Sequence, residues 1–430
     1  MVSSIKGDEL KTIDEIYKEL EDNIKIVSTP DYSKLVNFSE NLSIPRHRWF
    51  NIKEGFSANI IKKLIKRFDG TKHDLVFDPF AGSGTTILAA KELGIPSFGF
   101  EINPFLAFLS RTKLYNKKSN LSSHVHNIEN LKMSDNVRIP KLSIAQKLFN
   151  DQLNYLLSVK QYIDNLKDSQ EKDLLKIAFL CSLENSSTAK KDGNGLKYPK
   201  NKKIIPFKEA IITKIKEIEN DINTCPLNDA NSKIFNLDVR NLNQLLDNKD
   251  FKNYIENVSL CIFSPPYMNC FDYTEIYKIE LWFGDFIKDY GDLKKLRNAS
   301  LTSHLNKIIE ENYYLENKDI NSLVGKIAEQ LLWNNKIPLM IKAYFKDMYV
   351  TLQGIYKLLK KDGRCIIVVG NSAYGNIAIP TDMILGKLGL EIGYSKCRIE
   401  IARHLGTSSQ QYKKINNKSI LRESLIILEK

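Results

Sequence analysis

Residues 74–104 read DLVFDPFAGSGTTILAAKELGIPSFGFEINP, and no other stretch restricts the fold as tightly. An apolar run ends at Asp78-Pro79. A turn crowded with glycine follows, then a helix-forming run and a second apolar run that closes on Glu101. Strand, glycine turn, helix, strand is one βαβ unit, and it commits the chain to an α/β fold with a parallel sheet. The turn, Phe80-Ala81-Gly82-Ser83-Gly84-Thr85-Thr86, lets a ligand approach the amides at a helix N-terminus. It lacks the lysine of a nucleoside-triphosphate loop. It also lacks the third glycine of the dinucleotide fingerprint, because Ile87 stands there. Glu101, at the end of the next strand, sits where an acid can take both hydroxyls of a ribose. These residues predict a site for a nucleoside without a pyrophosphate; the alternative is a tight βα turn that binds nothing.

A second apolar run, Val258 to Phe263, stops abruptly in Ser264-Pro265-Pro266-Tyr267. Proline cannot donate to a sheet ladder, so the strand ends there. Open α/β sheets bind ligands outside the carboxyl ends of their strands. The tetrapeptide is therefore either a plain turn or a reaction site, with Tyr267 a π-face or a core ring. Phe271, Tyr273, Tyr277 and Trp282 follow as candidate walls of a pocket there, while helical spacing from 273 to 282 also fits ordinary packing and favours it for Tyr277 and Trp282.

Around these motifs the chain alternates α and β. Residues 8–24 predict an amphipathic helix within an N-terminal extension, 1–40. The pieces 41–114, 233–285 and 341–430 predict one catalytic domain. Two mostly helical insertions interrupt it, 115–232 and 286–340. The first carries a polar surface loop, SSTAKKDGNGLKYPKNKK, whose Lys190, Lys191, Lys197, Lys200, Lys202 and Lys203 form a candidate clamp for a polyanion backbone. A solvated lysine loop is the alternative. Arg297 to His304 and the second insertion are rival contacts.

Composition narrows the class. Lys and Arg number 63 against 51 Asp and Glu, and the net charge of +12 suits a polyanionic partner. Six cysteines are scattered without a CxxC pair, which predicts reduced thiols in a cytosolic protein and no zinc site. The six histidines are too dispersed for a triad or a metal centre. No run approaches a membrane span, and the charged amino terminus has no apolar signal core.

The stretch Asp78 through Thr86, together with Ser264-Pro265-Pro266-Tyr267, resembles the amino-methylating DNA methyltransferases that use S-adenosylmethionine. The resemblance spans about 40–110, 232–285 and 340–430. It implies a Rossmann-like class I methyltransferase fold, a mixed seven-stranded sheet with helices on both faces and the last strand pair antiparallel. By the same resemblance Asp78, Pro79, Phe80, Ala81, Gly82, Ser83, Gly84, Thr85 and Thr86 hold the cofactor. Asp78 either nears its amino group or braces the turn. Glu101 and Ile102 take the ribose end, and Asp238 and Val239, in NLDVRNL, the adenine. Trp49, Phe56 and Ser57 pack around the methionine end, with core packing open for the two rings. Asn371 and the TSSQQ loop also match in style.

Ser264, Pro265, Pro266 and Tyr267 are then the catalytic tetrapeptide. Its Ser-Pro-Pro-Tyr form is usual for cytosine-N4 methylation, while Asp-Pro-Pro-Tyr and Asn-Pro-Pro-Tyr are usual for adenine-N6. The expectation is N4 methylation of a flipped cytosine in double-stranded DNA, within restriction–modification or defence. That implies a cognate endonuclease as partner and the cytoplasm of a bacterium or archaeon as the setting. Adenine-N6 methylation is the nearest alternative. RNA or protein-glutamine methylation and an inactive DNA-binding subunit lie further off.

Overall fold

The computed structural model describes residues 11–68, 70–71, 74–134, 136–193, 195–405, 415 and 417–430. Eight strands form its main sheet: β1 (Lys25–Ser28), β2 (Val76–Asp78), β3 (Ser97–Phe100), β4 (Ser232–Phe235), β5 (Val258–Phe263), β6 (Leu359–Gly370), β7 (Lys396–His404) and β8 (Arg422–Glu429). Their spatial order is β1-β7-β8-β6-β5-β2-β3-β4. Every neighbouring pair is parallel except those made by β8, which runs antiparallel to β6 and β7. The fold is the expected Rossmann-like methyltransferase architecture, with one strand more than the seven predicted. The extra strand, β1, lies just beyond the stretch 8–24 that the sequence pattern assigns to a helix. The helix itself is shorter, Ile13–Glu21, and Thr12 and Glu15 close a capping box on it.

Two-residue alternation explains how the central strands serve both faces. In β5, Leu260 and Ile262 pack with Ile60, Ile61, Leu64 and Ala90 on one side. Cys261 and Phe263 join Phe77, Phe98 and the long helix Ile337–Leu358 on the other. Strand β6 repeats the pattern, with Ile366 and Val368 on the first side and Cys365, Ile367 and Val369 on the second. All six residues of β5 are buried, as a central parallel strand requires.

From β2 the chain proceeds outward through β3 to β4, then returns to β5 beside β2 and proceeds outward the other way to β6. The direction of winding reverses between β2 and β5, which opens a crevice at their carboxyl ends. The glycine turn leaves β2 at that edge, and Ser264 leaves β5 at the same edge.

Residues 122–224 form mostly helices, the longest being Gln170–Ser186 and Phe207–Thr224. Their apolar faces share one core with Trp49, Phe50, Phe105, Leu109, Tyr277, Trp282 and Phe283. The lysine-rich stretch is not a structureless loop. Lys190–Asp192 and Gly195–Lys197 pair as an antiparallel hairpin. The TSSQQ loop lies outside the described residues. Among the described residues, no helix is long and apolar enough to cross a membrane, and no cluster of His, Cys, Asp and Glu could hold a metal.

Candidate active site

The glycine turn is held from below by the helix that follows β3, Pro104–Lys113. Ser110 Oγ donates to the carbonyl of Gly82 at 2.6 Å, and Lys113 Nζ donates to that of Ser83 at 3.0 Å. With its carbonyls drawn down, the turn presents the Gly82 amide to Glu101. Gly82 and Gly84 take φ of +52° and +81°, the region where an L side chain is strained. A Cβ on Gly84 would stand 2.9 Å from Ser110 Cβ, so the helix needs that position bare.

Glu101 accepts the amides of Gly82 at 2.8 Å and Asn103 at 2.7 Å. Burial still dominates and pushes its carboxyl up to about 7. Asp78 is the other buried acid. It accepts the Phe80 amide at 2.9 Å from behind the turn, and burial pushes it to about 7 as well. At the far end, Asp238 caps the short turn Val239–Asn241 and pairs with Arg240 at 2.7 Å. Arg240 in turn donates to the Ala299 carbonyl at 2.7 Å, tying the site to the second insertion.

These elements enclose one cavity. Pro79, Phe80, Gly82, Glu101, Ile102, Asp238, Val239, Ser264 and Pro266 all line it. Two segments far apart in sequence therefore meet on one wall, as the motifs require. Tyr267 faces an adjoining recess together with Arg403 and Glu423. Ile52, Lys53 and Glu54 border both spaces. Pro265 is buried at the root of the tetrapeptide.

Several predicted residues lie elsewhere, and each has a physical reason. Trp49 is buried and donates its indole N–H to Asp221 at 3.0 Å, so it anchors its segment rather than covering a ligand. Phe56 packs with Tyr32, Leu35 and Val36 in the core. Ser57 caps helix Ala58–Arg67 by accepting the Asn59 amide, and it donates to Glu40. Asp78 braces the turn. Ala81 packs with Ile87, Ala107 and Ile234. Ser83, Thr85 and Thr86 are buried beneath the turn, the Thr86 hydroxyl 3.4 Å from the Ile262 carbonyl. Gly84 contributes conformation, not a wall.

The basic stretch divides too. Lys191 is fully buried and paired with Glu280 and Glu184, so it is no DNA contact. Lys202 is also committed, donating to the carbonyls of Glu184, Ser187 and Ala189. Lys190, Lys197, Lys200 and Lys203 are exposed, with Lys197 2.9 Å from Asp192. Tyr277 and Trp282 are core residues, as their spacing predicts.

Sequence reasoning missed Ile52, Lys53, Glu54, Leu237 and Arg240 on the cavity wall, whereas Tyr273, one of the aromatic residues that follow the tetrapeptide, does line it. The turn signal of Gly55 marked the first group only weakly. Leu296, Ala299, Ser300 and Leu301 also line the cavity, from the part of the second insertion expected as a rival DNA contact; tertiary packing brings them there.

The donor set suits S-adenosylmethionine. Glu101 and Asp238, the latter paired with Arg240, border the cavity together with the apolar side chains of Ile102, Leu237 and Val239.

Comparison with known proteins agrees. The family model for N6- and N4-type DNA methylases matches residues 10–110. The Type II methyltransferase M.AvaI of Nostoc sp. is 29% identical over 429 residues, covering 88% of this chain and 85% of that protein. M.BsoBI of Geobacillus stearothermophilus, also a Type II methyltransferase, is 28% identical over 452 residues, covering 92% and 88%. M.MvaI of Kocuria varians is 22% identical over 97% of this chain and 96% of its own. With its Rossmann-like sheet, its glycine turn and its tetrapeptide at one crevice, the chain is similar over most of its length to Type II methyltransferases, and its residues 10–110 match a DNA methylase family.

Proposed function

We propose that the chain methylates the exocyclic N4 amine of a cytosine flipped out of double-stranded DNA. The observation that carries this reading is the shared wall: Ser264 and Pro266 border the cavity that Gly82, Glu101 and Asp238 border. Glu101 holds the ribose hydroxyls of the cofactor and Asp238 its adenine end. The bound cofactor supplies an electrophilic methyl group on a sulfonium.

The chain's own part is positioning. An amine conjugated with a ring is a poor nucleophile, so placement and acceptors for its hydrogens make the difference. Ser264 Oγ and the Pro265 carbonyl are those acceptors, and the prolines fix their direction. The target base enters the recess beside Tyr267, reached by flipping because a stacked base is out of reach. The Ser-Pro-Pro-Tyr form supports cytosine over adenine. Lys190, Lys197, Lys200 and Lys203 contact DNA phosphates. The Type II relatives support a place in restriction–modification, with an endonuclease of the same target as partner and the cytoplasm as setting.

Nucleoside analysis of DNA methylated by the purified chain tests the reading. N4-methylcytosine is the expected product. N6-methyladenine would overturn the choice of base, and methyl transfer to RNA but not to duplex DNA would overturn the substrate.

A further inference from the structure

Serine leaves the tetrapeptide without the carboxylate that an Asp-Pro-Pro-Tyr sequence would carry. A hydroxyl accepts a hydrogen bond from the amine, but it cannot keep the proton that the amine must lose once methylated. The structure places a carboxylate one side chain away. Tyr267 Oη donates to Glu423 Oε1 at 2.7 Å. Glu423 is buried on β8, and Arg403, on the neighbouring strand β7, donates to its other oxygen at 2.7 Å through Nε and approaches to 2.6 Å through a terminal nitrogen. The Tyr267 ring is fixed beneath this pair, for a Cβ on Gly370 would lie 3.0 Å from its edge. Burial and the neighbouring Glu423 push the phenol well above its usual range.

We infer that Glu423 is the proton acceptor of the methyl-transfer step, acting through the hydroxyl of Tyr267, with which it lines the recess proposed for the base. The inference rests on the methyl-transfer reading above. As the amine lone pair takes the methyl carbon, the carbon–sulfur bond breaks and its electrons return to sulfur. The amine then gives one proton to Tyr267 Oη as Tyr267 gives its own to Glu423. One proton leaves the substrate and one arrives on the carboxylate, so charge and atoms balance. Arg403 holds Glu423 aimed at the phenol. Tyr267 thereby has two uses, its face toward the base and its hydroxyl in the relay.

The test uses the full chain with Tyr267→Phe, Glu423→Gln and both together. Tyr267→Phe keeps the ring, and the glutamine carbonyl still accepts the phenol hydrogen, so both variants keep the packing while breaking the proton path. Single-turnover methyl transfer to duplex DNA is expected to slow by about a hundredfold in each, the lower end of the usual range for a proton-transfer group. Cofactor and DNA affinities are expected within about twofold of the parent. The double variant is expected to be no slower than the slower single one, because both interrupt one path. A parent rate in Tyr267→Phe, or losses that multiply in the double variant, would overturn the relay. A parent chain that methylates no DNA would instead overturn the reading beneath it.

Discussion

Glu101 shows how one buried side chain sets the conditions under which the site works. Its carboxyl is pushed up to about 7 because burial costs its charged form more than two amide hydrogen bonds return. The ionised form is the better acceptor for ribose hydroxyls. With a pKa near 7, about a tenth of the groups are ionised at pH 6 and about nine-tenths at pH 8, so cofactor affinity is expected to be about tenfold weaker at pH 6. Titration calorimetry across that range checks it, and Glu101→Gln is expected to flatten the curve and weaken binding at pH 8. Gly84 makes a different point. A side chain there would meet left-handed strain and Ser110 together, so Gly84→Val is expected to destabilise the fold by about 2–5 kcal/mol, read by urea unfolding. The glycine motif was legible, but its usual rationale was not the local one. Gly82 and Glu101 meet the ligand side, whereas Gly84 and Asp78 serve the turn's own geometry, a distinction that no one-dimensional pattern carries.

Among the elements, helix Phe207–Thr224 reaches back to the first part of the chain through one acid. The fully buried Asp221 accepts the Arg46 amide at 2.8 Å and the Trp49 indole at 3.0 Å, and it pairs with Arg48. Asp221→Ala would leave three donors without their partner. It is expected to cost about 3–5 kcal/mol in chemical denaturation while cofactor affinity changes little, since Asp221 does not border the cavity. The family resemblance places Trp49 at the cofactor's methionine end, with core packing left open for its ring. Its partner lies about 170 positions away, and only the fold reveals it. The basic hairpin divides along similar lines. Removing Lys190, Lys197, Lys200 and Lys203 together is expected to weaken DNA binding and to lower the slope of log affinity against log salt by about 0.9 for each phosphate left unneutralised. An unchanged slope would show that DNA lies elsewhere. Sequence supplied the charge of this stretch but not the burial of Lys191, which Glu280 draws inward.

For the whole molecule, the meeting of the two motifs at one crevice was legible because each ends a strand of a parallel sheet, and such sheets bind at their carboxyl edge. The edge strand β1 and the roof formed by Leu296 to Leu301 were not, since both depend on distant neighbours. The first insertion is the clearest case. Arg46 gathers its two ends, donating to the carbonyls of Lys113, Tyr115 and Cys225, and Asn116 exchanges hydrogen bonds with the backbone of Leu227. Close ends suggest a cassette that evolution or an engineer could lift out and replace. The apolar contents say otherwise, because Phe50, Phe105, Leu109 and Tyr277 continue without a break into the helices between those ends. A graft that carries only the inserted helices would strand that greasy seam in water. Successful exchange of target preference between relatives would have to transplant both sides of the seam at once.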